Sequence, residues 1–347
     1  MVEIDGSTGE GGGQVLRTAL TLSILSAQPF SIHHIRSKRQ KPGLMAQHLQ
    51  AVDAAAAISR AHVEGAYLGS TTLEFHPGAL RSGRYRFDIG TAGATSLVLQ
   101  TIAIPLSFAS SASSVIITGG THVAWSPSYH YLDLQWRYWM LRLGFDLQLT
   151  LDQAGFYPQG GGSISCVIRP AQPIQPLSLL QRGALVKISG ITAVAGLDQT
   201  IAQRQKRQAL GRLGKRYPAL LVKTLELPAH SKGTFLLILA EFESGRGCFC
   251  AIGERGKPAE RVADECVDAY EAFIDSGAAI DHFLADQLLL PLSLAESPSQ
   301  VFTSHVTQHL LTNAEIIRRF LPAQIEIQGS IGEPGLASVI PGIHTGA

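Results

Sequence analysis

Three short stretches carry side chains suited to chemistry at phosphorus. Toward the C-terminal end, "VTQHLLTN" (306–313) sets His309 against a mostly apolar run and follows it with Thr312 and Asn313. The residues leave three readings open for this imidazole: a helix-boundary residue, half of an H-x-x-x-H metal pair with His305, or a nucleophile. The metal pair needs a third ligand and lacks the glutamate of H-E-x-x-H. The nucleophile needs an electrophilic phosphorus and groups that neutralise its oxygens. Two N-terminal stretches have the residue types for that task. "DGSTGEGGGQVLRTAL" (5–20) surrounds Glu10 with Gly9, Gly11, Gly12 and Gly13 and continues into Arg17. Such a run lets backbone N–H groups approach a ligand at the start of a helix. No G-K-[ST] closes it, and Gln14 stands where G-x-G-x-x-G would have its last glycine. A carboxylate inside a glycine nest suits a divalent cation bound to phosphates, which makes Glu10 a metal candidate. "HIRSKRQKPGLMAQH" (34–48) places Arg36, Lys38, Arg39 and Lys41 ahead of a Pro-Gly expected to start the next helix. The guanidinium fork matches phosphate oxygens, although a solvated basic loop carries the same charges.

Polar residues inside apolar helices extend the set. Gln47 and His48 follow the basic loop; Gln100 interrupts "DIGTAGATSLVLQTIAI" (88–104); Asp286 and Gln287 interrupt "DHFLADQLLLPLSLA" (281–295). A buried carboxylate is costly unless paired, which singles out Asp286. In "GGTHVAWSPSYHYL" (119–132), Trp125, Pro127 and Tyr129 are placed either to stack on a base or to pack ahead of a helix.

These residues need positioning elements, and the chain has ample material for them. It is 347 residues long, 45% hydrophobic and only 16% charged, with a net charge of +1. That balance excludes a globally basic nucleic-acid coat but permits a local basic pocket, and no acidic residue falls between Glu10 and Asp53. Around His309, Ser304 is the expected N-cap; Val306, Leu310, Ala314, Ile317 and Leu321 form an apolar stripe with His305 and His309 beside it. Hairpins are expected at 66–78, 155–170 and 324–342, each preceded by two helical stretches. The rhythm predicts an α/β chain of three two-helix-plus-sheet modules forming a large domain, 1–183 and 278–347. The stretch 184–277 alternates strands and helices and predicts a smaller α+β domain inserted in the third module. Within it, Arg204, Lys206, Arg207, Arg212, Lys215 and Arg216 make a basic helical run that is either a solvated face or a guide for a polyanion. Cys166, Cys248, Cys250 and Cys266 lack zinc-site spacing and read as reduced structural thiols. No run is long enough to cross a membrane and the polar N-terminus carries no signal peptide, so a cytoplasmic protein is expected. Apolar helices such as 94–109 can pack internally or across a homodimer.

Taken in order, "DGSTGEGGGQVLRTAL", "IRSKRQKPGLMAQHL", "GTAGATSLVLQTI", "GGTHV", "FYPQGGG", "HFLADQL" and "HLLTN" resemble the RNA 3′-terminal phosphate cyclase family over nearly the whole chain. The resemblance implies three α/β modules with a late insertion, and ATP-dependent conversion of an RNA 3′-phosphate to a 2′,3′-cyclic phosphodiester. It makes His309 the nucleophile that accepts AMP, with Glu10 on Mg²⁺ (or Mn²⁺) and Arg17, Arg36 and Arg39 clamping phosphates. It places Gln47, His48, Gln100, Asp286 and Gln287 in the pocket, and Phe283 and Pro127 on either side of adenine. His130 and Cys250 depart from the residues usual at their positions. A catalytically silent relative acting in ribosome biogenesis would lack the histidine; an enolpyruvyl transferase would carry a different cationic pattern.

Overall fold

The computed structural model describes residues 1–342, a mixed α/β chain with four small mixed sheets. The first sheet orders β1 (Val2–Asp5), β2 (Phe30–His33), β4 (Leu73–His76) and β3 (His62–Glu64). Its β1–β2 pair is parallel and the other two pairings are antiparallel. A parallel pair requires a crossover, and α1 (Gly13–Ser26) supplies it; α2 (Ala46–Ser59) then returns the chain to the β3–β4 hairpin. The second sheet, β5 (Arg84–Asp88), β6 (Ser113–Gly119), β8 (Gly162–Ile168) and β7 (Leu147–Gln153), has the same order and the same sequence of parallel and antiparallel pairs. Its crossover is α3 (Thr95–Ser107). The returning helix starts as α4 (Tyr129–Tyr131), widens through one π turn at Leu132–Trp136 and ends as α5 (Arg137–Leu143).

The chain then lays down β9 (Ser178–Leu179) and departs into a further sheet before completing the third. That further sheet orders β11 (Leu221–Glu226), β10 (Leu185–Ala195), β12 (Gly233–Phe242) and β13 (Arg246–Ile252), with α6 (Gln199–Leu213) and α7 (Ala259–Ser276). On return, α8 (His282–Leu292), β14 (Ser299–Thr303), α9 (Gln308–Phe320), β15 (Gln324–Gln328) and β16 (Gly335–Ile340) give the order β9-β14-β16-β15. The pairing senses again match the first sheet.

Packing follows from the side-chain periods. On β12, Phe235, Leu237 and Leu239 join the main hydrophobic cluster, while Leu236, Ile238 and Ala240 join a second cluster with Phe249, Val267, Tyr270 and Phe273. A strand buried on both faces reads as an unbroken apolar run, as "TFLLILA" does. In the main cluster α1 packs against α2, α3 and α9, and α8 packs against α9.

Several local expectations are corrected. The Pro42–Gly43 pair does not start α2; Met45 holds the extended N-cap conformation and the helix begins at Ala46. The Arg36 guanidinium donates to the Lys41 and Gly43 carbonyls at 2.8 Å each, holding the Pro-Gly segment as a loop. The cap of α9 is Thr307, whose Oγ1 accepts from Leu310 N–H at 3.1 Å, whereas Ser304 N–H bonds Ile280. His305 therefore precedes the helix and packs edge-on against His282, and it shares no helical face with His309. Two hairpins start earlier than the sequence suggests: β3–β4 spans 62–76 rather than 66–78, and β7–β8 spans 147–168 rather than 155–170, while β15–β16 falls within 324–342. All four cysteines are free thiols, and no helix among the described residues is long and apolar enough to cross a membrane.

Candidate active site

Capping by Thr307 makes His309 the second residue of α9, with its side chain 49% exposed while Leu310, Ala314 and Ile317 are buried. Its Nε2 lies 3.4 Å from Oε2 of Glu10, nearly 300 residues away in sequence. Glu10 sits in the loop from β1 to α1, only 10% exposed. The same Oε2 accepts from Nη2 of Arg39 at 2.6 Å. The glycines around Glu10 are what let this loop approach the helices. A β-carbon on Gly9 (φ +61°) would meet Thr312 Oγ1 of α9 at 2.1 Å, and one on Gly13 would meet His48 Nε2 of α2 at 2.3 Å.

Charge and burial set the protonation states. Burial chiefly pushes the His309 pKa down; Glu10 opposes that shift while Arg17 and Arg39 reinforce it. The ring is thus neutral, with a lone pair available. Burial raises the Asp286 carboxyl to about 7 against the pull of Arg17. Burial also lowers Arg17 to about 10, with Glu10 and Asp286 holding the guanidinium charged. His48 falls to about 3 through burial and the nearby Arg17 and Arg36. Its Nδ1 accepts from Met45 N–H at 3.2 Å, so this histidine is a neutral helix cap.

Behind this group runs a polar seam between α1, α3, α8 and α9. Arg17 Nη2 donates to Gln14 Oε1 (2.8 Å), and Gln14 Nε2 donates to Asn313 Oδ1 (3.1 Å). Asn313 Oδ1 also accepts from Thr18 Oγ1 (2.7 Å), and its Nδ2 donates to the Asp286 carbonyl (3.0 Å). Gln100 Nε2 donates to Gln287 Oε1 at 2.6 Å. Gln14, Arg17, Gln100, Asp286, Gln287 and Asn313 line one cleft. Glu10, Arg39 and His309 are thus in direct contact, with Arg17 and Asp286 beside them.

Other candidates have different surroundings. Arg36 adjoins Arg39 and Glu10 electrostatically, but one arm of its guanidinium holds its own loop. Gln47 accepts from Ala94 N–H at the start of α3 (3.0 Å). Phe283 is the second residue of α8, half-exposed, with its ring 6.4 Å from that of Tyr131. Pro127 lies in the loop before α4, two residues after the fully exposed Trp125. Sequence reasoning assigned no role to Gln14, Thr18 or Asn313. A signal was present: Gln14, Arg17 and Thr18 share a helical face at i, i+3 and i+4, as do His309 and Asn313 at i and i+4.

The profile of the family described as "RNA 3'-terminal phosphate cyclase" matches residues 8–327. Proteins of that name from Ralstonia nicotianae, Gloeothece citriformis and Pyrobaculum neutrophilum are 45%, 43% and 40% identical to this chain over 94% of it, covering 93%, 95% and 95% of their own lengths. A solved enolpyruvyl transferase, NikO from Streptomyces tendae, aligns over 97% of this chain and 47% of its own at a TM-score of 0.37 and 12% identity, too weak a likeness to bear on fold or function. With Glu10, Arg39 and His309 all inside the matched span, the chain belongs to the RNA 3′-terminal phosphate cyclase family and is an enzyme of that type.

Proposed function

We propose that the protein uses ATP to convert an RNA 3′-terminal phosphate into a 2′,3′-cyclic phosphodiester through a covalent histidine–AMP. The reading rests above all on the contact of His309 Nε2 with Glu10, which itself pairs with Arg39. A neutral imidazole attacks the α-phosphorus of ATP, forming a P–N bond as the bond to the β,γ-phosphates breaks and pyrophosphate leaves. An oxygen of the RNA 3′-phosphate then attacks the AMP phosphorus, and the P–N bond breaks. The neighbouring ribose 2′-OH attacks the 3′-phosphorus, losing its proton and expelling AMP, which makes RNA the substrate. Arg39 and Arg17 supply positive charge for the transferring oxygens. Glu10 is the residue to hold Mg²⁺ or Mn²⁺, since one carboxylate plus substrate phosphates is the usual donor set for such an ion. The bound ion would neutralise phosphate charge there. Phe283, exposed at the start of α8, and Pro127 are the proposed adenine contacts. Gln47 and His48 are assigned to the RNA end, through the surfaces they support.

The repeated strand order supports three modules in a large domain, 1–183 and 278–347, with residues 343–347 outside the described part. The second hydrophobic cluster supports 184–277 as a unit inserted after β9. Free thiols fit a reducing, cytoplasmic setting. Incubation with α-labelled ATP and Mg²⁺ is expected to leave acid-labile label on the protein, and a 3′-phosphorylated RNA should discharge it with formation of the cyclic end. His309→Ala abolishes labelling and His305→Ala retains it. Label retained in His309→Ala would transfer the nucleophile to another residue.

A further inference from the structure

The C-terminal ends of β1 and β2 gather a set of ligand atoms that phosphoryl transfer does not use. Asp5 closes β1 and His33 closes β2, and the two are register partners in the parallel pair. Residues paired in this way project to the same side of the sheet. His34, next in the chain, has a left-handed backbone at φ 53°, a conformation costly for a residue with a full side chain. With that turn its Nδ1 stands 3.3 Å from Asp5 Oδ1. One ligand atom from each of Asp5, His33 and His34 lies within 4.8 Å of the others. The two imidazoles meet edge-to-face at 76° with centroids 4.8 Å apart. The Ser7 N–H donates to Asp5 Oδ1 at 2.9 Å and fixes the carboxylate, the kind of outer support that metal-binding carboxylates receive.

We infer that Asp5, His33 and His34 form a binding site for a first-row transition-metal dication of the zinc type, separate from the cation proposed at Glu10. Two imidazoles and a carboxylate suit Zn²⁺, Co²⁺ or Ni²⁺; Mg²⁺ and Ca²⁺ prefer oxygens throughout. Nitrogen and oxygen ligands around a tetrahedral zinc stand ~3.4 Å apart, which is the spacing already held by Asp5 and His34. His33 is exposed, so a rotation of its ring brings it to the third corner and water takes the fourth. The site lies at the roots of two loops: one runs from Asp5 to Glu10, the other from His34 to Arg39. A metal there joins the two loops below the Glu10–Arg39 pair, and its expected effect is to stiffen them. The alternative is a plain surface ion pair between His34 and Asp5, with His33 uninvolved.

The test uses the full chain without an affinity tag and without ATP. Zn²⁺ alone is titrated in competition with a chromogenic chelator, and the melting temperature is followed in parallel. One equivalent of zinc per chain and a rise in Tm are expected. His33→Ser and His34→Asn should each weaken zinc binding about tenfold or more. Asparagine is chosen because it accepts the left-handed backbone. Glu10→Gln should leave the zinc equivalent in place, which separates this site from the phosphate cleft. In the unsubstituted protein, zinc should also shield His33 and His34 together from diethyl pyrocarbonate, mapped by mass spectrometry. Binding that survives in a folded His33→Ser/His34→Asn protein overturns the assignment. So does a parent protein that takes up no zinc, or one in which zinc leaves both histidines open to modification.

Discussion

His309 and His305 differ by four positions, yet only one meets a partner suited to phosphoryl chemistry. Thr307 decides this by starting the helix between them, so His309 turns toward Glu10 and His305 toward His282. The downward shift of the His309 pKa keeps the ring neutral to a lower pH than an ordinary imidazole, whose pKa is about 6.5. Adenylylation should therefore hold its plateau below that value and fall only at more acidic pH. Glu10 opposes the shift, so Glu10→Gln should move the acid limb lower still, measured against that variant's own plateau of label incorporation. A limb displaced upward would show that Glu10 does not act on the ring. The composition around Glu10 was informative because glycine and a carboxylate have few joint uses; the role of Asn313 was hidden because an amide in an apolar helix is ordinarily a satisfied core group.

At the scale of elements, the site depends on where helices begin. The capping oxygen of Thr307 satisfies an orphan N–H in the first turn of α9, and such a cap contributes about 1 kcal/mol. Thr307→Ala should lower the melting temperature by a few degrees or less in a chain of this length. It should also slow labelling with α-labelled ATP while leaving some, because the nucleophile is present but less well held. Labelling lost as completely as in His309→Ala would mean that Thr307 touches the substrate. Helix α9 was legible from its apolar stripe, and its start less so, because Ser304 and Thr307 are equally good caps in sequence. What selected Thr307 was tertiary: the Ser304 N–H is taken by the Ile280 carbonyl. Strands β1, β2 and β9 are four, four and two residues long, too short for an alternation pattern to register.

At the scale of the whole molecule, Asp281 is the junction. Fully buried, it accepts from Tyr131 Oη (2.8 Å), Gln135 Nε2 (2.7 Å), Cys248 N (3.2 Å) and Leu284 N (3.0 Å), binding the π turn, β13 and α8 together. Ile280 beside it bridges to Arg246 of β13 and to Thr303 of β14, so the sheet of β10–β13 is joined to the helix carrying Asp286. Removing the carboxylate strands several donors, and Asp281→Ala should cost about 3 kcal/mol of stability by calorimetry. Burial raises the Asp281 carboxyl to about 6 despite those donors. The folded state then binds this proton more tightly than the unfolded chain, so its contribution is present below about pH 4 and is lost as pH rises through 6. The deficit of Asp281→Ala should consequently be larger at pH 4.5 than at pH 8. A deficit that grows with pH would contradict the raised carboxyl. Within the basic run, Arg204 pairs with Glu260, and Arg212 with Asp264, Asp268 and Glu271.

The sequence by itself determined which residue types were available for phosphate and nucleotide chemistry, the apolar stripe of α9, and the alternation of strands and helices over 184–277. These are local properties, carried by spacing along the chain. The tertiary structure alone decided that Glu10, Arg39 and His309 touch, that His48 is a buried cap, and that Asp5, His33 and His34 converge. Those relations depend on parallel strand pairing and on α9 packing against α1, contacts between segments whose separation along the chain carries no trace in either segment.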